Sequence, residues 1–135
     1  MKNHTWSSEV RDYEVDYQNI VNNAVYMNYL DHARGKYFND MGFDITHIAT
    51  QEKINIVLYE TQIKFKLPLR FGDKYKVISE LSRISPYRLI MKQKIINSQN
   101  NTIIYLDAVS YLCCINTKTN KPCIHKAFEN MDIIK

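Results

Sequence analysis

Residues 25–41 carry the one long helical pattern in this sequence. Val25, Tyr26, Tyr29, Leu30, Ala33, Tyr37, Phe38 and Met41 recur at spacings of three and four, while Asn28, Asp31, Arg34, Lys36 and Asp40 fall on the other side. Such an amphipathic helix is about 25 Å long at 1.5 Å per residue. Asn22 or Asn23 suits its N-cap, where a side-chain oxygen accepts an orphan backbone N–H, and Gly42 can take the left-handed conformation that closes it. On this pattern Arg34 is a solvated helix residue and His32 a surface histidine.

Everything else reads as strand. Residues 5–15 have enough β-branched and aromatic residues for a first strand, and 43–52 are a connection. Residues 53–67 are strand-like, but their apolar phase shifts from Ile54, Ile56 and Leu58 to Val57, Tyr59, Ile63, Phe65 and Leu67. A bulge or bend near Tyr59 reconciles the two phases. Residues 74–81 and 88–96 alternate regularly around a Ser85-Pro86 turn, and 97–101 form a polar turn. Residues 102–115 are apolar on both faces. One strand, one long helix and four further antiparallel strands make an α+β protein, a sheet of about five strands curled around one helix, in a single domain over residues 1–135. Three glycines and three prolines beside ten tyrosines fit long strands and short turns. One helix can cover only one face of the 102–115 strand. A second subunit is the economical cover for the other, so a homodimer or homotetramer is expected.

Composition excludes several function classes. The net charge of +4 comes from 18 basic against 14 acidic residues. These are interspersed, so no nucleic-acid stripe follows, although a mild positive excess would also attract a polyanionic ligand. No apolar run approaches a membrane span, and the start has no signal-like segment. Three cysteines without framework spacing suit a reducing compartment, so a cytoplasmic location is expected. Cys113, Cys114, Cys123 and His125 lie close in sequence, but adjacent strand residues point to opposite faces, which argues against a metal site. Neither a Ser-His-Asp motif nor a Gly-rich phosphate loop occurs, leaving cofactor-free chemistry.

The segment 12–34, DYEVDYQNIVNNAVYMNYLDHAR, places an Asp (Asp16) before a short loop (17–21), then Asn22-Asn23 and Tyr26 at the helix start. A second stretch, 65–73, reads FKLPLRFGD. In this order and spacing the two resemble the hydroxybenzoyl-CoA thioesterase family of hot-dog proteins, with its Asp at the end of the first strand and its aromatic-x-x-Pro-x-x-x-Gly-Asp connection. The resemblance covers roughly residues 5–125. The family pattern usually has Gly three residues after the Asp; here Asn19 stands there, and Asn tolerates positive φ better than most residues. Many relatives have His where this chain has Asn23, which rules out an imidazole mechanism at that place and argues against a hot-dog dehydratase.

The resemblance implies hydrolysis of an acyl-CoA or acyl-carrier-protein thioester. Asp16 would be nucleophile or general base, and the helix N-terminus near Asn23 would be the oxyanion site. A free N–H and the positive end of a helix dipole suit that oxyanion, and a carboxylate is ionised at neutral pH. Val21, Tyr26, Glu60, Arg70 and Arg88 are the candidate substrate contacts, with Glu60 a possible aid to Asp16. Lys64, Lys66, Arg70, Arg88 and Lys92 are candidates for the phosphates of coenzyme A. Each also has a plainer reading: Asp16 as a turn cap, Asn23 as an N-cap, Tyr26 and Tyr29 as core aromatics, and the charged strand residues as solvated surface. The competing function is a hot-dog protein that binds acyl thioesters without hydrolysing them.

Overall fold

The computed structural model describes residues 3–134. The chain runs through β1 (Asn3–Glu9), a 3-10 turn at Asp12–Glu14, α1 (Asn23–Asp40), a short α2 (Ile45–His47) continued by a wide turn at Ile48–Glu52, and β2 (Ile54–Phe65). There follow β3 (Lys74–Arg83), β4 (Arg88–Asn97), β5 (Ile104–Asn116), the two-residue β6 (Lys121–Pro122) and α3 (Lys126–Glu129). The sheet order is β1-β3-β4-β5-β2, with every pairing antiparallel and β6 added on β5. This is the expected α+β sheet around one long helix. The closing β6 and α3 have no counterpart in the sequence pattern.

Both ends of α1 follow from named residues. Asn22 is the N-cap, its side chain accepting from Ala24 N–H at 2.9 Å, so Asn23 is the first helical residue. At the other end Gly42 adopts φ +94. Its N–H donates to Asn39 O at 3.1 Å and the Phe43 N–H to Phe38 O at 2.8 Å. That paired closure is the Schellman arrangement, here with its hydrophobic contact, since the Phe38 and Phe43 rings are 6.0 Å apart.

The apolar face of α1 enters two adjoining cores. Tyr26, Tyr29, Leu30 and Ala33 pack with Tyr75, Val77, Ile95 and Leu106, while Tyr37 and Phe38 pack with Phe43, Leu81, Met91, Leu112 and Phe128. The helix lies over β1 and β3. The inner side of β2 (Ile54, Ile56, Leu58, Ile63) is therefore only half-buried, and β2 is an edge strand.

Two expectations need correction and two others are found in place. The first strand stops at Glu9, because Val10 leaves the ladder to bond Asp73 and Gly72, and Glu14 folds back to accept the Arg11 N–H at 2.8 Å. Arg34 is not solvated but 6% exposed, because the sheet wraps beyond the apolar stripe of α1. The bulge in β2 is at Tyr59: Leu58 pairs with Leu112 and Glu60 with Tyr111, leaving Tyr59 extra. His32 is exposed as expected, its ring 4.6 Å from that of Trp6. Among the described residues no helix is long and apolar enough to cross a membrane.

Candidate active site

The loop between β1 and α1 is built around two carboxylates. Asp16 opens a tight turn in which its Oδ1 accepts from Gln18 N–H at 2.8 Å and Ile20 N–H at 3.4 Å, and its own N–H donates to Ile20 O at 2.9 Å. Asn19 takes φ 60, so the residue standing in the glycine position adopts the conformation required there. A bridge between Val15 and Val21 closes the turn. Half of the Asp16 carboxylate thus holds the turn, while its Oδ2 accepts no hydrogen bond among the described residues.

Glu14, two residues earlier, is buried and anchors the whole loop. Its Oε1 accepts from Arg11 N–H and from the Tyr29 hydroxyl at 2.9 Å, and its backbone oxygen accepts from Asn22 N–H. Burial, reinforced by this carboxylate, holds the Tyr29 hydroxyl far above the ordinary phenol range, so it stays protonated and can donate to Glu14. Sequence reading missed Glu14, because its partner Tyr29 lies a full loop and a helical turn away. Glu14→Ala should cost about 1–3 kcal/mol, read as a lower denaturant midpoint, since it strips the buried Tyr29 hydroxyl and the Arg11 N–H of their acceptor. An unchanged midpoint would show the anchor to be dispensable.

The two sequence motifs meet at Leu69. Val21 N–H donates to Leu69 O at 2.9 Å, and Leu69 N–H donates to the Tyr26 hydroxyl oxygen at 2.9 Å. The second motif is itself held by a turn in which Asp73 Oδ2 accepts from Arg70 N–H at 2.8 Å and Gly72 has φ +84. Between the motifs lies a cleft of about 200 Å³ lined by Ile20, Val21, Asn23, Tyr26, Phe65, Lys66, Leu67 and Pro68. Of the first-turn N–H groups of α1, Ala24 is capped by the Asn22 side chain and Val25 by Asn22 O. The Asn23 N–H has no partner among the described residues and stands at the cleft, on the positive end of the helix dipole.

Of the candidates, Val21, Asn23 and Tyr26 share this cleft, and Asp16 sits beside it, bonded to the lining residue Ile20. Arg70 is exposed on the adjoining turn. Glu60 and Arg88 are elsewhere. Past the bulge Thr61 and Ile63 turn inward, so Glu60 is exposed on the outer face, opposite Tyr111, and accepts from Gln62 Nε2 at 3.0 Å. Arg88 begins β4 opposite Cys113, whereas the cleft residue Phe65 pairs with Leu106, about 23 Å away along the strands. Its guanidinium stacks over Tyr59 at 5.7 Å. Lys92, mid-strand, is also remote from the cleft, while Lys66 lines it and Lys64 is exposed on the outer face of the same end of β2. Cys114 is buried and Cys113 half-exposed, in keeping with opposite faces of β5.

A model of the thioesterase-like superfamily matches residues 10–128 of the chain. Acyl-acyl carrier protein thioesterase ATL3, chloroplastic, of Arabidopsis thaliana is 37% identical over 86 residues, covering 64% of this chain and 45% of that protein. The long-chain acyl-CoA thioesterase FadM of Escherichia coli K12 is 27% identical over 113 residues, covering 84% and 83%. The chain spans about half the length of the two Arabidopsis relatives it matches. Among solved structures, Slr0204, a 1,4-dihydroxy-2-naphthoyl-CoA thioesterase from Synechocystis, superposes with a TM-score of 0.84 at 16% identity, over 90% of this chain and 88% of that one. The shared fold, together with a family match that takes in the Asp16 loop, α1 and the whole sheet from β2 to β5, means that the chain belongs to the thioesterase-like superfamily of hot-dog proteins.

Proposed function

We propose that the protein hydrolyses acyl thioesters of coenzyme A or of an acyl carrier protein, with Asp16 and the Asn23 N–H as the reacting groups. The observation that carries this reading is the unpaired Asn23 N–H at a cleft edged by the Asp16 turn. A thioester carbonyl seated there would place its developing oxyanion on a dipole-oriented donor. Asp16 Oδ2 then either removes a proton from water as it adds to the carbonyl, or attacks the carbonyl to form an anhydride that water opens. In both routes the C–S bond breaks, the thiolate leaves and takes up a proton, and the free acid remains. A thiol with a pKa of about 8.5 leaves readily without a strong general acid. The test is release of free thiol from a panel of acyl-CoA and acyl-pantetheine thioesters. Saturable binding with no thiol release from any of them would favour the non-hydrolytic alternative.

The site is completed by a second copy of the chain in this reading. A cleft of about 200 Å³ is smaller than the roughly 300–1,000 Å³ of ordinary ligand pockets. The adjoining edge strand β2 leaves its backbone edge and much of Val57, Tyr59 and Phe65 uncovered. A long apolar edge of this kind templates strand pairing, so a homodimer through β2 is the assembly that fits.

Phosphates of coenzyme A would meet the exposed Lys64 and Arg70, since Lys66 is already paired with Asp107 at 2.9 Å. Converting Lys64 and Arg70 together to Gln should raise KM for acyl-CoA roughly tenfold with little change in kcat, because contacts remote from the scissile bond supply binding. If pantetheine thioesters, which lack the nucleotide, show the same KM as coenzyme A thioesters, these charges are not a nucleotide site and a carrier protein is the favoured donor.

A further inference from the structure

A second cavity, of about 310 Å³, lies farther along the seam between α1 and β2. Its walls are Phe38, Ile45, Ile56, Leu58 and Leu112, and Asp31, Arg34 and Gly35 complete it. Arg34 is a buried cation with little to compensate it. Its guanidinium donates to the neutral Gln93 Oε1 at 3.3 Å and to Asp31 Oδ1 at 3.5 Å, both longer than good hydrogen bonds. Asp31 is the ionic partner, and its side chain is 82% exposed and therefore screened. Gln93 is fixed, its amide nitrogen donating to Leu30 O and Ser79 Oγ, so it cannot rotate to give more. Arginine carries five N–H donors, and most of those of Arg34 have no acceptor among the described residues.

Gly35 is a second, independent sign of a kept space. Glycine weakens a helix interior, and packing within the subunit does not require it here, since a Cβ at this position would meet nothing within 4 Å. Its missing side chain leaves the wall beside Arg34 open.

From Asn23 to Arg34 along α1 is about 16 Å. An extended hydrocarbon advances about 1.25 Å per carbon on bonds of about 1.5 Å, so an acyl group bound at Asn23 would reach Arg34 after roughly a dozen carbons. Between the two cavities lie the half-buried inner residues Leu58, Thr61 and Ile63 of β2, apolar except for the Thr61 hydroxyl, which is hydrogen-bonded to Ser110.

We infer that the Arg34 cavity receives the far end of the substrate's acyl chain and selects chains that carry an oxygen acceptor there, a carboxylate or a hydroxyl. This rests on the thioesterase reading for its substrate class, but the cavity is testable without turnover. A guanidinium in an apolar wall gives its strongest bonds to carboxylate and weaker ones to a neutral oxygen, and gives a terminal methyl nothing.

The experiment compares a saturated acyl group of about a dozen carbons with its ω-hydroxy and ω-carboxy derivatives, as coenzyme A thioesters for hydrolysis and as free acids for calorimetric binding. The wild-type protein should bind at least one oxygenated form roughly tenfold or more tightly than the methyl-terminated form, and the carboxy or hydroxy arm identifies which acceptor is taken. Arg34→Met should abolish that preference. Gly35→Leu, which replaces a weak helix residue by a strong one, should fold and also raise KM for the oxygenated chain at least tenfold by filling the cavity. Equal binding of all three chains by the wild-type protein would overturn the inference, as would a preference that survives both substitutions. Loss of dimer in Arg34→Met with the preference intact would overturn it too, showing Arg34 to serve the subunit interface. Absence of thiol release from every thioester would contradict the thioesterase reading instead, and the free-acid binding would still decide the cavity.

Discussion

Replacing Val57 and Tyr59 together by Lys should convert a homodimer into monomers and abolish thioester hydrolysis. Both side chains are close to half exposed on the edge strand, at 42% and 47%, so the fold of one subunit loses little. In an edge-to-edge dimer, however, each would come near its own copy, and four lysines would face one another where apolar contacts had been. Loss of two apolar anchors and the added repulsion should weaken association by roughly a hundredfold to a thousandfold. Light scattering at micromolar concentration reads the outcome. A wild-type protein that is a stable and fully active monomer would contradict this account of the site's completion.

How far the sequence reached can be judged residue by residue. The helix was legible because its apolar spacing, its Asn22 cap and its Gly42 closure are local and reinforce one another. Asn19 was legible because few residues tolerate positive φ, and the structure has it at 60. The bulge could be read from the phase shift in residues 53–67. Its position near Tyr59 could be read too, but not that Tyr59 itself is the extra residue, which decides the face on which Glu60 emerges. Arg34 was misread for a related reason: a helical wheel divides polar from apolar, but burial depends on how far the sheet wraps, and the partner Gln93 lies 59 residues away. Arg88 stood among the candidate substrate contacts because strand order was read without strand direction. The meeting of the two motifs at Leu69 was not legible, since no local pattern reveals a hydrogen bond from Leu69 N–H to the Tyr26 hydroxyl.

Asp16→Asn should fold normally and lose thioesterase activity by about a hundredfold or more. The amide keeps an oxygen that can accept from Gln18 and Ile20 N–H, so the turn and the Asn19 conformation survive. What disappears is the charge: an amide cannot take a proton from water at neutral pH or attack as a carboxylate does, and removal of an acid/base group costs roughly a hundredfold to ten-thousandfold. Because Asp16 also caps its turn, a mere loss of activity in Asp16→Ala would be ambiguous, whereas the Asn variant separates chemistry from structure. Its thermal midpoint should stay within a few degrees of the wild-type value.

The decisive measurement is therefore the rate of free thiol release from an acyl-CoA that the wild-type protein cleaves, taken at saturating substrate for wild type and Asp16→Asn side by side, with dimer content and thermal midpoint recorded for both. A folded, dimeric Asp16→Asn protein with kcat lower by about a hundredfold or more is the predicted result. A kcat within a factor of about two of wild type would contradict it, and would leave Asp16 as a turn residue and the chemistry to be sought elsewhere.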